Sequence, residues 1–167
     1  MHEMELIGVR VELPSNAPIV LLRERIGDLR LLPIFIGAPE ATAIALALDG
    51  ITPPRPMTHD LLRDVLEELA TDVERVVVTE LRDKTFYAEL HLFRDSKRIV
   101  ISSRPSDAIA LAVRTGTPIF ASEDVIAEAG YAEADGDTAI SAEQSEEVVE
   151  MFREFIESVK PEDFGSD

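Results

Sequence analysis

Residues 55–62 read RPMTHDLL and residues 104–111 read RPSDAIAL. Each is an Arg-Pro pair followed by a hydroxyl-bearing residue, a carboxylate and an apolar run. The chemistry such groups support is the handling of anionic oxygen. Proline keeps the preceding residue extended, so Arg55 and Arg104 each enter a helix start with a constrained backbone. An arginine beside free helix-start amides suits a phosphate or a carboxylate. His59 lies in a first helical turn, where the dipole favours the neutral imidazole, the form that binds metals and accepts protons.

Plain structural roles account for much of this. Thr58 and Ser106 suit N-caps, and Asp60 and Asp107 complement helix dipoles from the first turn. Arg55 and Arg104 suit partners for Glu40 or Asp107, tying loops to the core. Glu40 stands at a helix start inside an apolar run, so its burial demands a partner. His91, on an alternating strand, reads as packed or solvent-facing, and His2 lies near the chain end. Walker, HExxH and G-x-S-x-G patterns are absent from the sequence, which leaves the common cofactor enzymes unsupported.

The elements that must position these groups follow from periodicity. Strands are expected near 4–12, 18–25 and 29–36, leading into a helix near 39–48. A second series, near 73–82, 85–93 and 97–102, leads into a helix near 106–114. The pentapeptide AIALA occurs at 43–47 and again at 108–112. The same offset brings Ile34 and Ile36 onto Ile99 and Ile101, and Thr52-Pro53 onto Thr117-Pro118. Each first helix is followed by Thr-Pro and a second helix start, at Thr58 and at Ser122. The expectation is an α+β domain with mixed or antiparallel sheets, packed helices and an internal duplication of a β-β-β-α-α unit. Under that offset Arg55 falls opposite Phe120 and Arg104 opposite Pro39. The two Arg-Pro motifs are then different points of related halves, which suits one composite site between them.

The chain has 167 residues, 46% of them hydrophobic and none of them cysteine, enough for one substantial core and no disulfide or thiolate chemistry. A cysteine-free chain whose start alternates like a strand reads as a soluble cytoplasmic protein. The formal charge is −17. Residues 121–167 hold 15 acids against 2 bases, so most of the negative field comes from the C-terminal part. That field repels nucleic acid at long range, so any such partner needs a local cationic patch or bound metal. From Ser141 a capping-box pattern leads into Val148, Met151, Phe152, Phe155, Ile156 and Val159 at helical spacing, an acidic amphipathic helix. The expected division is residues 1–130, in halves of about 1–65 and 66–130, and an acidic region, 131–167.

The segments IGAPEATAIALAL, RPMTHDLL, FYAEL and RPSDAIALAVR, in this order, resemble the bifunctional nuclease family of bacteria and plants. The resemblance spans roughly residues 1 to 130. It implies an α+β domain, hydrolysis of both DNA and RNA, and a homodimer. Phosphodiester hydrolysis suggests roles within these motifs. Glu40, Asp60 and Asp107 would bind a divalent metal, Mg²⁺ or Mn²⁺. His59 would serve as ligand or general base, with Asp60 beside it, and Arg55 and Arg104 would hold the phosphate. The alternative is a dimeric binding or regulatory domain without turnover, whose acidic C-terminal helix recruits a partner.

Overall fold

The computed structural model describes residues 1–12 and 15–132. The expected amphipathic helix from Ser141, and the acidic region around it, lie outside the described residues. The described part belongs to one compact unit, Met1–Glu133.

The first half runs through β1 (His2–Glu12), β2 (Ala17–Glu24) and β3 (Leu31–Phe35) into helices α1 (Ala38–Leu48) and α2 (Thr58–Glu68). The second runs through β4 (Asp72–Arg82), β5 (Thr85–Arg94) and β6 (Lys97–Ser103) into α3 (Pro105–Thr115), β7 (Ile119–Ala121) and α4 (Glu123–Ala129). All seven strands form one mixed sheet in the order β3-β2-β1-β7-β4-β5-β6. Two antiparallel three-stranded meanders thus flank β7, which runs antiparallel to β1 and parallel to β4. The α+β expectation holds, as a single sheet.

β7 is the element that periodicity does not reveal. It is only three residues long, yet it joins the two meanders. Its counterpart after Thr52 does not extend, because Pro53, Pro54 and Pro56 have no N–H to give a ladder. Ile119, Phe120 and Ala121 have both the N–H groups and the apolar side chains that a central strand needs.

α1 packs on β1 and β2, α3 packs on β4 and β5, and the two helices pack on each other. Val20, Leu22, Leu32, Ile34, Val76, Val78 and Leu90 meet Ile44, Ile109 and Leu111 in one core. The alanines Ala43, Ala108, Ala110 and Ala112 are all buried, so the small residues of the two AIALA segments let helix and sheet approach closely. α2 rests on α3. His59 is its buried residue, while Leu61, Leu62, Val65 and Leu69 remain exposed.

Candidate functional site

Three helices begin in related ways, and each has a carboxylate at its third residue. Glu40 is third in α1, Asp60 in α2 and Asp107 in α3. Acids there face the positive end of the helix dipole. The helix starts lie one or two residues earlier than the hydroxyl residues suggest. Met57 precedes α2 and Arg104 precedes α3, so Thr58 and Ser106 sit inside their helices and are not the caps. For α3 the reason is Pro105, whose fixed φ and missing N–H suit the first helical position. For α2 it is Asp60, whose Oδ2 accepts the Met57 N–H at 2.9 Å and closes the turn from inside.

Arg104 joins two of these starts. Its Nε donates to Asp107 Oδ2 at 2.7 Å, and its Nη2 donates to Asp107 Oδ1 at 2.9 Å and to Glu40 Oε1 at 2.8 Å. The guanidinium is itself 65% exposed, whereas Glu40 and Asp107 are largely covered. His59 completes the group from α2, its Nε2 lying 3.1 Å from Asp107 Oδ1. Glu40 and His59 come from the first half of the chain, Arg104 and Asp107 from the second. The group therefore draws on both halves of the chain, with Arg55 outside its hydrogen bonds.

Gly37 shapes the Glu40 side of this group. The Glu40 carboxylate folds back over residue 37, and a Cβ there would collide with Oε2. Glycine at this position lets Glu40 reach Arg104 without leaving its helix.

The electrostatics are those of a cation shared by two acids. Burial pushes the Asp107 carboxyl up, but hydrogen bonds from Arg104 and His59 outweigh it and hold the group below the usual carboxylate range. Asp107 and Glu40 in turn raise the pKa of Arg104.

Asp60 faces another way. Its Oδ1 accepts Arg114 Nε at 2.6 Å, and the pair is buried, with Arg114 only 5% exposed. Arg114 also donates to the carbonyls of Ala110 at 2.8 Å and Ala43 at 2.9 Å, so one guanidinium ties α1, α2 and α3. Burial acts to raise the pKa of Asp60, and Arg114 with the Met57 N–H overcomes it, leaving the carboxyl low. Asp107 and Arg114 are seven residues apart on α3, about 10 Å of helical rise. His59 and Asp60, neighbours in sequence, thus address opposite ends of α3.

Arg55 is exposed in the segment between α1 and α2, and no hydrogen bond or ion pair holds it among the described residues. A hollow of about 330 Å³ opens near Asp60 and Arg114, lined also by Pro53, Pro56 and Arg63. Glu40, His59, Arg104 and Asp107 do not line it, so this hollow lies away from their group.

The expected metal set of Glu40, Asp60 and Asp107 does not converge in this arrangement. Among the described residues no three His, Asp or Glu side chains stand together as a metal-holding group. Asp60 has both oxygens engaged, and a guanidinium stands between the other two acids. Arg114 is the residue sequence reasoning missed. The signal was present, since it is the one charge in the otherwise apolar run AIALAVR.

His91 is held by Glu89 and Arg75 on the sheet. His2 lies in β1 and bridges the buried Glu24 to Glu123, with Arg30 gripping both acids.

The bifunctional nuclease domain matches residues 20–134, which contain Glu40, His59, Arg104 and Asp107. The chain is 47% identical to the uncharacterized protein Rv1829 of Mycobacterium tuberculosis over 165 residues, 98% of each chain. It is 32% identical to Bifunctional nuclease 1 of Oryza sativa subsp. indica over 117 residues, 68% of this chain and 35% of that one. Bifunctional nuclease 2 of Arabidopsis thaliana is 30% identical over 112 residues, 64% of this chain and 34% of the plant protein. The matched segment is thus about a third of each plant protein. The domain match over most of the chain, carrying both Arg-Pro motifs, places this chain in the bifunctional nuclease domain family.

Proposed function

We propose that this chain is a nuclease that hydrolyses phosphodiester bonds in DNA and RNA, with its active centre at His59, Asp107, Arg104 and Glu40. The observation that carries the reading is an exposed arginine, fixed by two carboxylates, beside a histidine that is hydrogen-bonded to one of them. The family membership supplies the reaction class.

In this reading His59 Nε2–H donates to Asp107, which leaves Nδ1 as the nitrogen that accepts a proton. A water oxygen attacks phosphorus as its proton passes to Nδ1. Asp107 orients the ring and compensates the charge that forms on it. The P–O bond to the leaving oxygen breaks, and that oxygen takes a proton from solvent. Arg104 presents its exposed edge to the phosphate oxygens, where negative charge concentrates. Arg55, unengaged and exposed, serves as a second phosphate contact further along the strand.

Mg²⁺ or Mn²⁺ belongs to the proposal as a cation that Glu40 and Asp107 would share with substrate phosphates only by giving up Arg104, which now occupies both carboxylates. Such a cation would compensate phosphate charge and acidify a bound water. Asp60, an expected ligand from its motif, would join only by leaving Arg114. Its role here is to fix α2 so that His59 reaches Asp107. A homodimer and a cytoplasmic location complete the proposal.

A second reading has one observation in its favour: Arg104 and Arg114 already have carboxylate partners. On that ground the chain would be a dimeric binding or regulatory domain without turnover. Cleavage of single- and double-stranded DNA and RNA, with Mg²⁺, Mn²⁺ or EDTA, separates the two. Cleavage by the wild type that is lost in folded Arg104→Ala supports the nuclease. Absence of cleavage under every condition supports the binding domain. Equal rates in EDTA would remove the cation from the proposal.

A further inference from the structure

The two edges of the sheet are treated differently. β3 is five residues long, has Pro33 at its centre, and its Leu31 is bridged to Tyr131. That edge is short, interrupted and partly covered, as protected edges are. β6 is seven residues long, KRIVISS, without proline, and no described strand pairs with its outer side. Ile99, Val100 and Ile101 are 42%, 52% and 45% exposed. Apolar side chains are thus presented on both faces of an edge whose outward N–H and C=O groups no described strand takes up. Such an edge is a template for another strand.

We propose that β6 is the interface of a two-fold dimer, in which the strand pairs antiparallel with β6 of a second copy about Val100. The occupant follows from the strand's own sequence. Pairing about Val100 sets Ile99 opposite Ile101, Arg98 opposite Ser102 and Lys97 opposite Ser103. Apolar residues meet apolar residues, and neither base meets a base, so the strand is self-complementary in register and in charge. Charge also favours this edge over others. Residues 97–104 hold three bases and no acid, in a chain whose net charge is −17 and otherwise opposes self-association.

The pairing has a consequence for the site. It joins two seven-stranded sheets into one and sets Lys97 of each copy opposite Ser103 of the other, one residue before Arg104. Alternation along the strand puts residues 97, 99, 101 and 103 on one face. Leu90 and Leu92, the cross-strand partners of Ile101 and Ile99, belong to the core under the helices. Lys97 of the second copy therefore stands on the helix side beside Arg104, as an added cation for the phosphate backbone. This inference rests on the dimer of the proposed function and not on its chemistry.

The chain has no native cysteine, so Val100→Cys places one thiol per copy at the two-fold axis. Directly opposed residues of an antiparallel pair lie within disulfide reach. Mild oxidation of Val100→Cys is expected to give a reducible dimer at least about tenfold in excess of Lys84→Cys, a control in the turn between β4 and β5, since only opposed thiols meet disulfide geometry. Sedimentation of the wild type is expected to show a dimer, and of the folded double variant Ile99→Lys/Ile101→Lys a monomer. A monomeric wild type, cross-linking no better than the control, or a double variant that stays dimeric overturns the proposal, and in the last case the interface lies elsewhere. An edge that captures a different polypeptide while the wild type sediments as a monomer overturns it too. A dimer that cross-links through position 100 but cleaves no nucleic acid leaves this interface standing and removes only the proposed chemistry.

Discussion

At the scale of single residues, His59 and Asp107 are expected to act as a unit. His59→Ala removes the proton acceptor and Asp107→Asn removes the group that orients it. Each is expected to lower the cleavage rate by about 10²–10⁴-fold, and the double variant should lose little more than the worse single one. Rates of the two single and one double variant, each checked by circular dichroism, measure this. Multiplying losses would mean the two residues work separately.

Gly37→Ala is a gentler probe of the same site. The added Cβ collides with the tip of a flexible side chain and not with backbone, and residue 37 has an ordinary negative φ of −75°. The fold is expected to lose no more than about 1 kcal/mol, while Glu40 swings off Arg104. Activity should then fall towards that of Glu40→Gln with little change in Tm. A large drop in Tm would show that the glycine matters for packing and not for the site.

Asp60 and Asp107 both have folded pKa values below their unfolded ones. Their stabilisation is therefore fully present above the unfolded aspartate value of about 3.9 and is lost as pH falls through the lower folded values. Urea denaturation from pH 3 to pH 7 is expected to show Asp60→Asn least stable relative to wild type near neutrality, with the gap closing below about pH 4. A gap that widened in acid would contradict the assigned pairs.

How much of the site was legible in residue types can be seen one residue at a time. Of the two Arg-Pro motifs, RPSDAIAL supplies Arg104 and Asp107 to the group at the helix starts, whereas RPMTHDLL supplies His59 and leaves Arg55 outside its hydrogen bonds. The caps were misplaced, since hydroxyl residues lose to Pro105 and to the Asp60 carboxylate in setting where the helices begin. Asp60 and His59 look like one dyad in sequence, yet neighbouring residues of a helix point about 100° apart. Only packing on α3 decides that one meets Asp107 and the other Arg114.

At the scale of elements, α2 depends on a polar clamp. Its Leu66 reaches the core, but Leu61, Leu62, Val65 and Leu69 remain exposed. Arg114 supplies the clamp, with one buried guanidinium on Asp60 and on carbonyls of α1 and α3. Arg114→Ala leaves Asp60 with the Met57 N–H but without its guanidinium and is expected to cost up to about 3 kcal/mol. Arg114→Lys should recover little, because an ammonium cannot reproduce the planar fork. Hydrogen exchange across residues 58–68 is expected to accelerate in both variants more than exchange across β4 and β5. Uniform acceleration would show that Arg114 supports the whole core instead.

Strands and helices were legible because period-two alternation and AIALA-type runs are long signals. β7 was not, because three residues carry no period. Its place between β1 and β4 arises from long-range pairing alone. The 65-residue offset fits the two AIALA segments, while the helices themselves begin 67 residues apart, at Ala38 and Pro105. In that second frame Glu40 and Asp107 correspond, each the third residue of its helix.

At the scale of the whole molecule, the charge and the chemistry pull apart. A chain of net charge −17 meets a polyanion only where cations are locally concentrated. Arg55, without a hydrogen-bond or ion-pair partner among the described residues, and Arg104, itself 65% exposed, are the cations to which the proposal gives that role. Composition gives the overall sign of the charge and does not show which arginines are held by carboxylates, because that depends on contacts such as Arg114 with Asp60.

The most direct test of the account is the rate at which purified wild type and Arg104→Ala cleave single-stranded RNA and DNA, with folding verified for both. The account expects wild-type cleavage that Arg104→Ala loses by about 10²-fold or more, as removal of a preorganised charge-stabilising donor does. Equal cleavage by the two proteins would contradict it and move the active centre away from the three helix starts.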